Sequence, residues 1–317
     1  VRHTPLLILA YNRPDKVRAL VERLRELAPP IIMVSVDGPK PERAGDAQKV
    51  EAVHEAFAGI DWTDDVSVRR RPTNLGLRKA VVDAVSWAIA EHGQVIVIEE
   101  DVLPGPDFLP YMEAMLERHR DDTRIAHVSG YNVVPVSKLS KGDSGSRLTI
   151  YPESVAWGTW ERAWRNFDVD LGWARRATLS ELHSIVGSRW AAVKWRQNFA
   201  DAAAERISTW AYRWIASMWS TGSLVVSPNR NLVSYVGADE GTHTVTALPW
   251  QELEVLPGSL ATVLAGTPER DYAADAWVNR QVFHGTPLGV AKGVAVSCVL
   301  ALRRTKRDRA ARNALSA

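Results

Sequence analysis

Five residues, Gln94-Val-Ile-Val-Ile98, run straight into three carboxylates, Glu99, Glu100 and Asp101. A continuous β-branched run bounded by turn residues reads as a strand buried on both faces, as in a parallel sheet covered by helices. The acids then stand at the strand's C-terminal end, which is where open α/β sheets place their ligands. Three adjacent carboxylates repel one another unless water or a cation lies among them. Hard oxygen ligands suit Mg²⁺ or Mn²⁺ carrying a phosphorylated substrate. The alternative is a solvated acidic loop that caps a strand.

The residues around this stretch repeat its plan. Leu6 to Leu9, Ile31 to Val36, Val66 to Arg70 and Arg124 to Val128 read as further strands. Helices are predicted from Pro14 through Leu27, over Asp46 to Phe57, over Leu77 to Ala90 and over Asp107 to His119, from apolar residues at three- and four-residue spacing. Strand–helix alternation with short loops predicts an α/β, doubly wound, mainly parallel sheet. Polar groups follow each strand: Asn12 and Arg13, then Asp37, then Asn74, then the acidic triplet. Loops after parallel strands open on one edge, so these groups are expected to converge on one cleft.

The second half differs. Of thirteen tryptophans, nine lie between Trp157 and Trp219, and Trp serves cores and flat-faced ligands alike. Trp157, Trp160 and Trp164 stand at helical spacing, as a core stripe does. Ser137 to Ser146 reads as a mobile surface loop, and Asn231 to His243 ends in a Gly-flanked loop holding Asp239, Glu240 and His243. Residues 285–302 are largely apolar with one lysine, Lys292, and precede the basic run Arg303 to Arg312. That pairing fits either a helix on an anionic membrane surface or a docking helix followed by a basic tail. The net charge of +2 is too small to make nucleic acid the main partner. Cys298 is the single cysteine, so no disulfide forms within this chain. No secretory signal or membrane span is visible, and the expected location is cytoplasmic, with association at the inner membrane face through the basic tail.

The order strand, Ala10-Tyr-Asn-Arg-Pro14; strand, Val36-Asp-Gly38; Asn74-Leu-Gly-Leu-Arg-Lys79; and Val97-Ile-Glu-Glu-Asp-Val102 resembles a GT-A glycosyltransferase. More narrowly it resembles bacterial relatives of N-acetylglucosaminyltransferase I. The resemblance continues through Trp157-Gly-Thr-Trp160, Trp210 to Trp214 and Gly241-Thr-His243, covering roughly residues 4–245. It implies a GT-A domain over 1–245, with 1–130 the nucleotide-sugar-binding half and 131–245 the acceptor-side half. Residues 246–317 form an extension with a basic helical tail. It also implies Mn²⁺ or Mg²⁺ on Asp101 and His243. A nucleotide-sugar donor is expected against Ala10, Tyr11, Asn12, Arg13, Asp37, Asn74, Gly76, Arg78, Lys79, Glu99 and Glu100. Trp157, Gly158, Thr159, Trp160 and Trp210 would stand on the acceptor side.

Two departures accompany the resemblance. The triplet is Glu-Glu-Asp where the family often has Glu-Asp-Asp. Ser208 and Thr209 stand where inverting members carry the acid that deprotonates the acceptor, and neither hydroxyl is a base near neutral pH. Glu153, Glu205 and Asp239 are the candidate bases; the alternative is a reaction that retains configuration and uses no such base. The expected function is metal-dependent transfer of a hexosyl or N-acetylhexosaminyl group to a glycan, lipid-linked or small-molecule acceptor, as in polysaccharide or glycoconjugate biosynthesis. One rival is a nucleotidyltransferase, although Ala10 to Pro14 is not the Gly-rich loop such enzymes use. The other is a non-catalytic carbohydrate-binding or scaffold protein derived from a transferase.

Overall fold

The computed structural model describes residues 3–237, 255, 258 and 260–297. Its contacts divide the chain into two units: 1–166 with 222–274, and 167–221 with 275–317.

The first unit is built on strand–helix alternation. Strand β1 (Leu6–Ala10) is wholly buried. Helix α1 (Pro14–Leu27) follows, with Pro at its start and Val17, Leu20, Val21 and Leu24 on its buried face. Then come β2 (Ile32–Val36), α2 (Asp46–Phe57), β3 (Val66–Arg70) and α3 (Leu77–His92). Strand β4 (Gln94–Glu99) leads into the short β5 (Val102–Pro104) and α4 (Phe108–Arg118). Strands β6 (Ile125–Ser129), β7 (Ser146–Thr149) and β8 (Ala156–Trp160) precede α5 (Glu161–Trp164). After the second unit's first segment the chain returns with β9 (Leu224–Pro228), β10 (Val233–Tyr235) and β11 (Glu269–Arg270).

Among the described residues, nine strands form one sheet in the order β11-β7-β9-β6-β8-β4-β1-β2-β3, and β10 pairs with β5 in a separate ribbon. Strand β1 lies parallel to both β2 and β4, with Ile8 opposite Val34 on one side and Ile98 on the other. Its side chains are covered on both faces, and each buried Leu or Ile contributes about 1.5–3 kcal/mol. Strand β3 closes one edge, and there the burial weakens and Val68 is exposed. The mixed α/β architecture, with a large and mainly parallel sheet flanked by helices, is that of a GT-A fold.

The tryptophan spacing misleads at β8. Trp157 and Trp160 are three residues apart, yet they lie in a strand running antiparallel between β4 and β6. Residues three apart in a strand face opposite sides. Trp157 stacks on His127 at 5.1 Å between centroids, while Trp160 donates its indole N–H to the Leu116 carbonyl. Only Glu161–Trp164 is helical. Residues 137–146, expected to be mobile, are held at several points. Ser140 donates through its N–H and Oγ to Asp271, the Gly145 N–H reaches the Thr262 carbonyl, and Asp143 pairs with Arg230 at 2.7 Å.

The second unit is helical: α6 (Gly172–Arg176), α7 (Leu179–Val186), α8 (Arg189–Ala203), α9 (Ala211–Ser220) and most of α11 (Tyr272–Gln281), with a further helical segment over 287–297. The four-residue α10 (Leu260–Val263) belongs to the first unit. Trp195 is the centre of the second unit's core, with Phe283 at 4.5 Å, Trp219 at 4.8 Å and Phe199 at 5.3 Å. Trp210, Trp214 and Trp219 are buried here, as core residues. Among the described residues no helix is long and apolar enough to cross a membrane.

Candidate functional site

The parallel register of β1, β2 and β4 brings their C-terminal ends to one edge of the sheet. Ala10 ends β1, and its carbonyl accepts from the Asp37 N–H at 2.9 Å, while the Leu9 carbonyl accepts from Glu100 N–H at 3.0 Å. The three loops therefore leave the sheet tied together by backbone.

Arg13 joins the first loop to the acids. Its Nε donates to Glu100 Oε1 at 2.9 Å and its Nη1 to Asp101 Oδ2 at 2.8 Å. The other oxygen, Asp101 Oδ1, is buried and has no hydrogen-bond partner among the described residues. Burial pushes the Glu99 carboxyl well up, with Asp101 and Glu100 adding to the effect. Burial also raises Glu100, against the pull of Arg13. This is a crowded acidic site, with Arg13 its neutralising cation among the described residues.

The β5–β10 ribbon closes the site from beyond the acids. The Val236 N–H donates to the Asp101 carbonyl at 2.9 Å, which brings Gly237 against the Asp101 side chain. A Cβ at Gly237 would stand 1.9 Å from Asp101 Oδ2, so only glycine fits there. Tyr235 sits beside the same carboxylate. Burial raises its hydroxyl above the usual phenol range, with Asp101 and Glu99 contributing.

The second cluster is the turn after β2 with the loop before α3. Asp37 Oδ1 accepts from the Gly38 N–H at 2.9 Å and the Leu75 N–H at 2.8 Å, and its Oδ2 accepts from Gly76 at 3.1 Å. Asn74 returns a bond from Nδ2 to the Gly38 carbonyl at 2.9 Å. Gly38 permits this approach, since a Cβ there would lie 2.3 Å from Thr73 backbone. Gly76 has φ +77° and caps α3, so Arg78 and Lys79 fall in that helix's first turn, an anion-favouring position.

Asp46 was not singled out by the sequence. At the start of α2 and 1% exposed, it accepts from the Tyr11 hydroxyl, from Asn12 Nδ2 at 2.5 Å and from the Lys40 N–H at 2.7 Å. Burial would raise its carboxyl, but these hydrogen bonds hold it below the usual value. Tyr11 and Asn12 are thus spoken for within the protein. An acid in a helix's first turn is ordinary, and only its burial sets this one apart.

Among the candidate bases, Glu153 lies in the same unit as the triplet, just before β8. Burial pushes its carboxyl up to about 7, with Arg147 pulling the other way. Tyr131 lies within electrostatic reach of both Glu153 and Tyr235, which links Glu153 to the ribbon beside Asp101. Arg147 is itself fixed by Asn132 Oδ1 at 2.9 Å and the Pro228 carbonyl at 2.9 Å. Glu205 belongs to the second unit and accepts from Arg213 Nη2 at 2.9 Å. Trp210 also lies in the second unit, at the start of α9 and 3% exposed. Trp157, Gly158, Thr159 and Trp160, expected in an acceptor-side loop, form buried strand β8 instead, paired at both edges and packed against Met112, Leu116 and Trp164. Asp239 and His243 fall outside the described residues.

No group of three or more His, Cys, Asp or Glu side chains suited to a metal occurs among the described residues. Mg²⁺ and Mn²⁺ bound with phosphates, however, need only one or two protein carboxylates. The buried Asp101 Oδ1, lacking a partner beside Glu100, fits that requirement.

Residues 6–162 match the family described as glycosyl transferase family 2. No curated protein matches. Among solved structures, the mannosyltransferase PcManGT from Pyrobaculum calidifontis, in complex with GDP-Man and Mn²⁺, is 12% identical. That match covers 96% of this chain and 80% of the other, with a TM-score of 0.41. Apo mouse xyloside xylosyltransferase 1 is 10% identical over 70% of this chain and 82% of that one, with a TM-score of 0.35. At those scores neither likeness carries an argument about substrate. The narrower resemblance to N-acetylglucosaminyltransferase I is not among these findings. The segment that matches glycosyl transferase family 2 lies wholly within the first unit, whose architecture is the GT-A fold.

Proposed function

We propose that the chain is a glycosyltransferase that moves a hexosyl or N-acetylhexosaminyl group from a nucleotide-sugar to a hydroxyl of a glycan, lipid-linked or small-molecule acceptor. The observation that carries this reading is the acidic triplet at the end of β4, with Arg13 over it and Asp101 Oδ1 buried without a partner, inside a family 2 domain. Asp101, with Glu100 beside it, would hold Mg²⁺ or Mn²⁺. When bound, such a cation supplies Lewis-acid neutralisation of the departing diphosphate.

The other residues act on the same bond. Transfer breaks the bond from the anomeric carbon to the diphosphate oxygen, so negative charge grows on the leaving group. Arg13, Arg78 and Lys79 line the route with positive charge, and fixed cations aimed at developing charge lower the barrier. Asp37 and Asn74 shape the nucleoside pocket by locking two loops together. Ala10, Tyr11 and Asn12 form its floor, with Tyr11 and Asn12 immobilised by Asp46. Glu153 takes the acceptor's proton as the new bond forms. Its raised carboxyl value suits a base working near neutral pH, and its seat in the same unit favours it over Glu205. β8 fixes where Glu153 enters the site and does not itself touch the acceptor.

A thermal-shift screen of nucleotides and nucleotide-sugars, with and without Mn²⁺, tests the reading. A ligand at about 100 times its Kd adds about 2.7 kcal/mol of stability. The expected result is a Mn²⁺-dependent shift with one nucleoside diphosphate, lost in Asp101→Asn with the protein still folded. A flat response from folded protein would favour the non-catalytic alternative, and release of pyrophosphate from a nucleoside triphosphate would favour the nucleotidyltransferase.

A further inference from the structure

Residues 287–297 form a helical segment whose two faces are chemically reversed for a soluble protein. Four positions, Gly289, Val290, Gly293 and Ser297, share one side at helical spacing. They meet α8. The Val290 carbonyl accepts from Gln197 Nε2 at 3.3 Å, and Ser297 Oγ donates to Asp201 Oδ2 at 2.6 Å. A Cβ at Gly293 would come within 2.6 Å of Gln197 Oε1 and 2.7 Å of Lys194 Nζ. The inward side is therefore made mostly of small residues, and Gly293 lets the two helices lie close.

The bulk faces outward. Leu288 is 65% exposed, Val294 51% and Val296 55%, and Ala291 and Ala295 are exposed beside them. Lys292 is the one charge on this side. Trp190, in the first turn of α8, is 49% exposed. A contiguous apolar helix face turned to solvent marks an interaction surface. The sequence beyond it names the occupant. Cys298-Val-Leu-Ala-Leu302 continues the apolar run, and Arg303 to Arg312 then brings six cations against one acid.

We infer that this face docks on an anionic lipid bilayer. The outward residues of 287–297 enter the boundary between headgroups and acyl chains, and the basic run engages the acidic headgroups. Apolar insertion and polybasic attraction are each weak alone, and together they anchor a peripheral protein. A second copy of the chain would cover the apolar face but would repel the basic run. A neutral partner protein would leave those cations unmatched. An anionic membrane satisfies both features.

The test is co-sedimentation of the full chain with vesicles of phosphatidylcholine alone or mixed with phosphatidylglycerol, at low and high salt. Binding is expected only with phosphatidylglycerol and is expected to weaken with salt. Leu288→Glu with Val294→Glu should lower the vesicle-bound fraction by roughly tenfold or more, because two apolar contacts are exchanged for repelled charges. Both side chains face solvent, so the thermal midpoint should not move. Arg303→Gln, Arg304→Gln and Arg307→Gln together should remove most of the salt-sensitive part. Absence of binding to phosphatidylglycerol vesicles would overturn the inference, as would equal binding by the double glutamate variant. Light scattering that shows a dimer broken by Leu288→Glu and Val294→Glu would assign the face to a second copy instead.

Discussion

Arg13 reaches Glu100 and Asp101 through two different nitrogens, so one guanidinium partly neutralises two carboxylates. Two unit charges about 4 Å apart attract by about 4 kcal/mol at the effective dielectric of a protein surface, and a divalent ion doubles that attraction. If Asp101 holds the cation as proposed, that residue would exchange Arg13 for the doubly charged ion, leaving Arg13 free to face the phosphates. Arg13→Ala should then bind Mn²⁺ about tenfold more tightly without donor, read from the free-ion signal in electron paramagnetic resonance. The same variant should bind the donor less well. Unchanged Mn²⁺ affinity would show that Arg13 does not compete. For Glu153, burial favours the neutral acid, while a base must be ionised. Activity should rise with pH through about 7, and Glu153→Gln should lower kcat by about 10²–10⁴-fold while leaving the donor-induced thermal shift intact. The stability sign is opposite. The folded chain keeps a proton that the unfolded chain has released, so this group's contribution falls as pH rises from the ordinary carboxylate value to about 7.

Among elements, the start of α2 has an influence beyond its own turn. Asp46 ties α2 to the β1 loop and to Lys40, accepting from Tyr11, Asn12 and the Lys40 N–H. Asp46→Ala removes three hydrogen bonds to a buried carboxylate from half-buried donors that water can reach, at a cost of about 1–3 kcal/mol. A urea midpoint should fall accordingly, and donor binding should weaken as the loop loosens. The elements that place the triplet were readable in the sequence. β1, β2, β4 and α1 through α4 carry apolar runs or helical spacing, β3 is a short Val-Ser-Val alternation, and the structure has all of them at nearly the expected bounds. Three features were not readable. Strand β8 is buried on both faces, so it has no alternation, and its Trp-Gly-Thr-Trp spacing imitates a helix. The β5–β10 ribbon is three residues long on each side, too short for any period to register. The Asp46 tether links residues distant in sequence, and pattern reading sees only neighbours.

At the scale of the whole chain, the sheet is not complete within the family-matched segment. Strand β9 lies between β6 and β7 in the sheet, yet it follows the whole first segment of the second unit. A chain ending at residue 221 keeps every residue of the 6–162 match and lacks an interior strand. Such a chain is expected to lose cooperative thermal unfolding by circular dichroism and to aggregate through the bared edge of β6. A sharp transition like that of the full chain would show that β9 is dispensable. During synthesis the ribosome releases β6 long before β9, and at about 5–20 residues per second the interval is on the order of 5–20 seconds. Throughout that time an apolar strand stands with one side unpaired. Helices of the second unit emerge during the same wait, so the edge of β6 is open to mispairing until Leu224–Pro228 arrives.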